Sequence, residues 1–120
     1  ARLDFAARSA AERKPDLVQA DAAEFVEAAL ARSQAAGTTR VLMHSIVWQY
    51  LGDARRARIT AAMEAAGARA SAERPLAWIM LEANRETLQH ELVVRCWPGG
   101  GEPHLLGKAH PHGAWVEWLG

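Results

Sequence analysis

The chain has 120 residues, half of them hydrophobic, and its 14 basic and 14 acidic side chains give a formal net charge of zero. That length makes one domain or part of one, and the missing basic excess argues against nucleic-acid backbones or anionic membranes as its main partners. The single Cys96 excludes an internal disulfide and suits a reducing cytoplasm. No apolar run approaches the roughly 20 residues of a membrane span, and no signal-peptide pattern stands at the start.

Residues 1–14 are rich in Ala and Arg. Leu3, Ala6, Ala7, Ala10 and Ala11 recur at helical spacing, and Pro15 ends the pattern. Leu17-Val18 is a short strand candidate. Asp21 then stands where a helix N-cap belongs, with Glu24 three positions on, as in a capping box. Ala22, Phe25, Val26, Ala29 and Leu30 share one face of the helix that follows, and Gly37 is read as its C′ glycine.

The next stretch, Arg40-Val41-Leu42-Met43-His44-Ser45, is an apolar run without alternation that meets a polar tip. Such a run predicts a strand buried on both faces, as in a parallel sheet. In open α/β sheets ligands bind outside the carboxyl ends of the strands, so His44 and Ser45 are candidate pocket residues. The alternative is a strand end whose polar groups bond neighbouring backbone. A nucleophilic role for Ser45 is disfavoured, because it lacks the glycines of the G-x-S-x-G elbow. Asp53 is expected to cap a second long helix with the stripe Ile59, Ala62, Met63, Ala66, ended by Gly67. Arg55, Arg56 and Arg58 read as a solvated helix face. Leu76 to Leu81 is another continuous apolar run, and it ends at Glu82.

Glu91 to Trp97 reads as a strand, Pro98 to Gly101 as a turn, His104 to Ala109 as the return strand, and Trp115 to Trp118 as a last extended piece. The gap between Glu82 and Glu91 is too short for a parallel crossover, which takes about a dozen residues; these strands are expected to be antiparallel. His110 and His112 form an H-x-H pair that shares a face if extended. A metal there would need Cys96 or His104 as further ligands, and no paired-Cys or H-E-x-x-H spacing supports one. His112 also fits a tight Pro111-His112-Gly113 turn. The tryptophans lack the basic groove of a nucleic-acid stacking platform. The expectation is an α/β fold, a Rossmann-like layered sandwich with a mixed sheet and an antiparallel C-terminal hairpin.

Several stretches together resemble a bacterial family, the domain of unknown function 2332: Arg40 to Leu51, Ala65 to Ala70, Arg74 to Trp78, Leu81-Glu82, Trp97 to Gly100, and His112-Gly113 followed by Trp115 and Trp118. The order of elements is also similar to the C-terminal half of a Rossmann-like, S-adenosylmethionine-dependent methyltransferase. That resemblance implies S-adenosylmethionine as cofactor, with Asp21, His44 and Ser45 in cofactor-binding positions. Glu82, at the end of its strand, could line the same crevice, and with His112 it is the candidate for a substrate pocket. The glycine-rich loop that would cradle the cofactor is absent. On this reading residues 1–120 form a single domain, the C-terminal portion of a longer protein without its first two strands. The competing expectation is a non-catalytic Rossmann-like interaction or assembly domain. Either way the run Val41 to Met43 is left with an open edge, repaired by Leu17-Val18 or by a second copy of the chain. A homo-oligomer with contacts at Val41 to Ser45 is the favoured outcome.

Overall fold

The computed structural model describes residues 1–120. In chain order they form helix α1 (Arg2–Glu12), helix α2 (Ala22–Ala31), strand β1 (Arg40–Ser45), a single 3-10 turn (Trp48–Tyr50), helix α3 (Gly52–Ala68), and strands β2 (Leu76–Asn84), β3 (Gln89–Trp97), β4 (His104–Ala109) and β5 (Val116–Trp118). The five strands make one mixed sheet in the order β1-β2-β3-β4-β5. β1 and β2 pair in parallel through the α3 crossover, and every later pair is antiparallel. The mixed α/β fold with an antiparallel C-terminal part therefore matches the reading of the sequence; the Rossmann-like layering expected with it is not shown, as β1 and β2 are the one parallel pair.

Helices α2 and α3 gather on one face of the sheet. Register places Leu42, Leu76, Trp78, Met80 and Trp97 on that face, where they pack with Ala23 and Val26 of α2 and Ile59 and Met63 of α3. These side chains are the core, and Trp78 and Met63 are its largest fully buried members. Gly67 is the penultimate residue of α3, at the helix end as expected, and Trp97 packs against it. A Cβ there would fall 2.5 Å from the indole Nε1. Gly101 meets the same indole from the other side, at a φ of 67° that favours glycine. Arg95 completes this corner. Its guanidinium lies 5.0 Å from the Trp97 ring and 5.6 Å from that of Trp78, at cation–π range, and it donates to Glu64 at 3.0 Å.

Four expectations need correction. β1 is not buried on both faces: Leu42 and His44 face the helices, while Val41, Met43 and Ser45 are exposed on the other side. No helix covers that second face, and the run reads as continuous because apolar residues line both sides. Leu17-Val18 forms no strand and does not pair with β1; both side chains are exposed. Gly37 is not the C′ residue of α2, which ends at Ala31; it sits in a turn six residues on, at φ 78°. Asp53 does not cap α3. The helix begins at Gly52 without a side-chain cap, and Asp53 binds Arg56 within the first turn.

α1 buries no residue, and Leu3 and Phe5 lie open on it. The three arginines of α3 do more than coat a face. Arg55 binds Asp21 and Arg58 binds Glu27, lacing α3 to α2, while Arg56 donates to the Trp48 carbonyl at 3.2 Å.

Candidate functional site

At the carboxyl ends of β1 and β2 the parallel register brings His44 beside Glu82. His44 Nδ1 lies 2.7 Å from Glu82 Oε1. The indole N–H of Trp78 donates to His44 Nε2 at 2.9 Å. An indole nitrogen can only donate, so Nε2 must carry the lone pair and Nδ1 the proton. His44 is thereby held as the Nδ1–H tautomer, donating to Glu82. The ring also stacks on Trp48, with centroids 5.2 Å apart and planes 11° from parallel. Trp48 in turn meets Trp78 edge-on at 5.5 Å.

Glu82 has a second task. Its carboxylate accepts the backbone N–H of Val47 at 3.2 Å and of Trp48 at 3.3 Å. These are the donors freed where the chain leaves β1. Ile46 makes that exit in the left-handed region, at φ 53°, which a β-branched residue rarely enters. Its N–H donates to the Leu81 carbonyl at 3.0 Å. One carboxylate on β2 therefore fixes a strained turn after β1 and orients the histidine at the end of it.

The chemistry available to His44 follows from these bonds. A general base oriented by a carboxylate on one nitrogen must present the other to its substrate. Here Trp78 occupies that nitrogen. The His44–Glu82 pair, 12% and 14% exposed, is a bonded structural network, not a poised acid–base pair.

Two clefts flank it, with Trp48 as their common wall. The larger, about 540 Å³, lies between α2, the segment leading into it, and the free edge of β1. Leu17, Val18, Phe25, Leu42, Met43 and Val47 line much of it, and it is apolar except for Asp16 and His44. The smaller, about 290 Å³, is polar, bounded by Gln49, Arg56, Glu82 and Arg85. Sequence reasoning missed Trp48 and Phe25. The signal for Trp48 was a large aromatic three residues past the polar tip, in a stretch that looked only like a connection.

The other candidates scatter. Ser45 lies on the face opposite His44, so the consecutive pair does not share a pocket. Asp21 is the N-cap of α2, accepting from Ala23 N at 3.0 Å and Glu24 N at 3.3 Å, and it also binds Arg55. His112 sits in the β4–β5 turn, at the far edge of the sheet from β1, with its N–H on His110 Nδ1 at 3.1 Å. No three His, Cys, Asp or Glu side chains gather as a metal site.

Asp21 carries a pH dependence. The Arg55 guanidinium, then the amides of Glu24 and Ala23, hold its carboxyl below the ordinary range. A depressed carboxylate contributes stability in full above its unfolded value of about 4, and that contribution fades as pH falls through the lower folded value. Urea midpoints of the wild type and Asp21→Asn should therefore differ at pH 7, and the gap should narrow as pH falls below about 4. A gap that stays constant or widens through the acid range would contradict this assignment.

With this geometry in place, comparison with known proteins adds a family. The family model described as "Uncharacterized protein conserved in bacteria (DUF2332)" matches residues 1–118. The chain belongs to the DUF2332 family. No curated protein and no solved structure matches the chain. Membership of DUF2332 bears out the first of the two resemblances noted in the sequence; the likeness to a methyltransferase half is not shown. No helix of this DUF2332 chain is long and apolar enough to cross a membrane.

Proposed function

We propose that this DUF2332 chain is an interaction and assembly domain that takes up an extended polypeptide segment along the open edge of β1. One observation carries the reading: β1 pairs only with β2. The N–H groups of Arg40 and Ile46 donate toward β2, to Pro75 and Leu81. Alternation along a strand then turns the N–H and C=O of Val41, Met43 and Ser45 the other way, where no strand meets them. An unpaired row of this kind is a template for strand addition. Beside it lies the apolar cleft of about 540 Å³, which offers side-chain burial next to the backbone bonds.

Amide hydrogen exchange tests the reading. In the working assembly the amides of Val41, Met43 and Ser45 should be protected, as should those of Leu42 and His44. Val41→Pro removes one outward N–H, and proline is tolerated on an edge strand whose N–H faces out. It should keep the circular dichroism of the fold while abolishing uptake of a Lys-flanked peptide of alternating Val and Thr. Free exchange at all three outward amides at every concentration, with no binding of that peptide, would end the proposal.

A second reading is a methyltransferase-like, Rossmann-type domain that binds S-adenosylmethionine. It is favoured by the strained Ile46 turn, since strain of this kind clusters at functional sites, and by the position of the His44–Trp48 stack at the ends of two parallel strands. It is weakened because Asp21, His44 and Glu82 already spend their polar atoms on protein partners. Calorimetric titration with S-adenosylmethionine separates the readings: saturable heat that Trp48→Ala removes would favour this one.

A further inference from the structure

We infer that the segment taken up by β1 is β1 of a second copy of this chain, in an antiparallel pair centred on Met43. This rests on the edge-uptake reading above and names its partner. The first argument is register. The three residues whose backbone groups point outward, Val41, Met43 and Ser45, are evenly spaced about Met43. A two-fold axis at Met43 opposes Met43 to its own copy and Val41 to Ser45 of the second copy. In an antiparallel ladder, opposed residues of this hydrogen-bonded class exchange both N–H···O bonds. All outward groups of both strands are satisfied at once, and the two sheets become one.

The second argument is the surface around that edge. On the helix side Leu17, Val18, Phe25 and Val47 are exposed, Leu17 at 86%; on the other side Val41 and Met43 are, Met43 at 73%. Together they flank the open edge with apolar side chains on both sides of the sheet, which a paired strand would cover. A two-fold interface must be self-complementary, and an apolar patch is. Charge does not oppose the pairing, because the chain is neutral overall. Arg40, the nearest charge in the strand, is folded back onto the carbonyls of Leu30, Arg32 and Ser33.

The third argument is that the chain's own segments leave the edge free. Leu17-Val18 runs past it without bonding it, and no backbone hydrogen bond reaches the outward groups of β1.

Site-directed crosslinking tests the pair, with Cys96→Ser as background because Cys96 is exposed and free. In that background Met43→Cys should give a disulfide-linked dimer under mild oxidation. Directly opposed strand residues lie about 5.5 Å apart at Cα, within disulfide reach. Leu88→Cys, even more exposed at the β2–β3 turn, should not crosslink. Light scattering of the wild type should report twice the chain mass, reverting to the chain mass with Val41→Pro. A dimer in which Met43→Cys fails to crosslink would overturn the register, and with it the proposal. A monomer at every concentration would also overturn it. If that monomer still binds the Val-Thr peptide, the edge-uptake reading stands and only the second copy falls.

Discussion

Trp78→Ala should cost about 3–5 kcal/mol of folding free energy, the range for emptying an aromatic site in a packed core. Trp78 is 2% exposed and sits where both helices meet the sheet, so the cavity has little freedom to collapse. It also supplies the N–H that bonds His44. Against a typical total of about 5–15 kcal/mol, the variant should be partly or wholly unfolded at 37 °C. Trp78→Phe separates the two roles. It keeps most of the ring and loses the donor, so its cost should be smaller, about 1–3 kcal/mol, mostly from leaving His44 Nε2 without a partner. Equal urea midpoints for the wild type and Trp78→Ala would show that the core is centred elsewhere.

His44→Ala should be the second most damaging change, at about 2–4 kcal/mol. It leaves the Trp78 N–H without a partner in a nearly closed site and takes from Glu82 Oε1 its shorter bond, with only the Val47 N–H remaining there, and a group stranded in this way carries the desolvation penalty. The diagnostic measurement is the double-mutant cycle with Glu82→Ala. Two residues in one bonded network should show a coupling of about 0.5–3 kcal/mol. A coupling of zero would mean that the His44–Glu82 bond contributes nothing to the fold. A catalytic role, by contrast, would show as lost activity with an unchanged midpoint.

How much of this was legible beforehand depends on the range of the signal. Asp21 was readable as a cap because capping is a relation among residues three apart. The β3 and β4 strands were readable because the turn chemistry of Pro98 to Gly101 separates them. The meeting of His44 and Glu82 was legible too, as two polar ends on two apolar runs joined by a helix. The sequence was silent on strand order, so it could not show that β1 is an edge. A run of Val, Leu and Met looks the same whether its second face is covered or open. Nor could it show that Trp78, 34 positions from His44, would close off Nε2. That bond gives a residue of the cleft wall a structural task as well, and it depends on register between strands, which no local pattern carries. Gly67 was readable as the end of α3, but the packing of Trp97 against it from another element, which leaves no room there for a Cβ, was not.

The aromatic cluster at the strand ends has an optical consequence. Trp48 and Trp78 lie 5.5 Å apart with their planes at 66°, close and skewed enough for their electronic transitions to couple. Coupled indoles give a paired circular-dichroism band of opposite signs in the ultraviolet, and it vanishes when either ring turns away. Trp48 walls both clefts, whereas Trp78 is sealed beneath it. The molecule thus carries a native spectroscopic gauge with one sensing ring and one reference ring. Any guest that displaces Trp48, whether polypeptide or nucleoside, writes its arrival into the spectrum of the unlabelled protein.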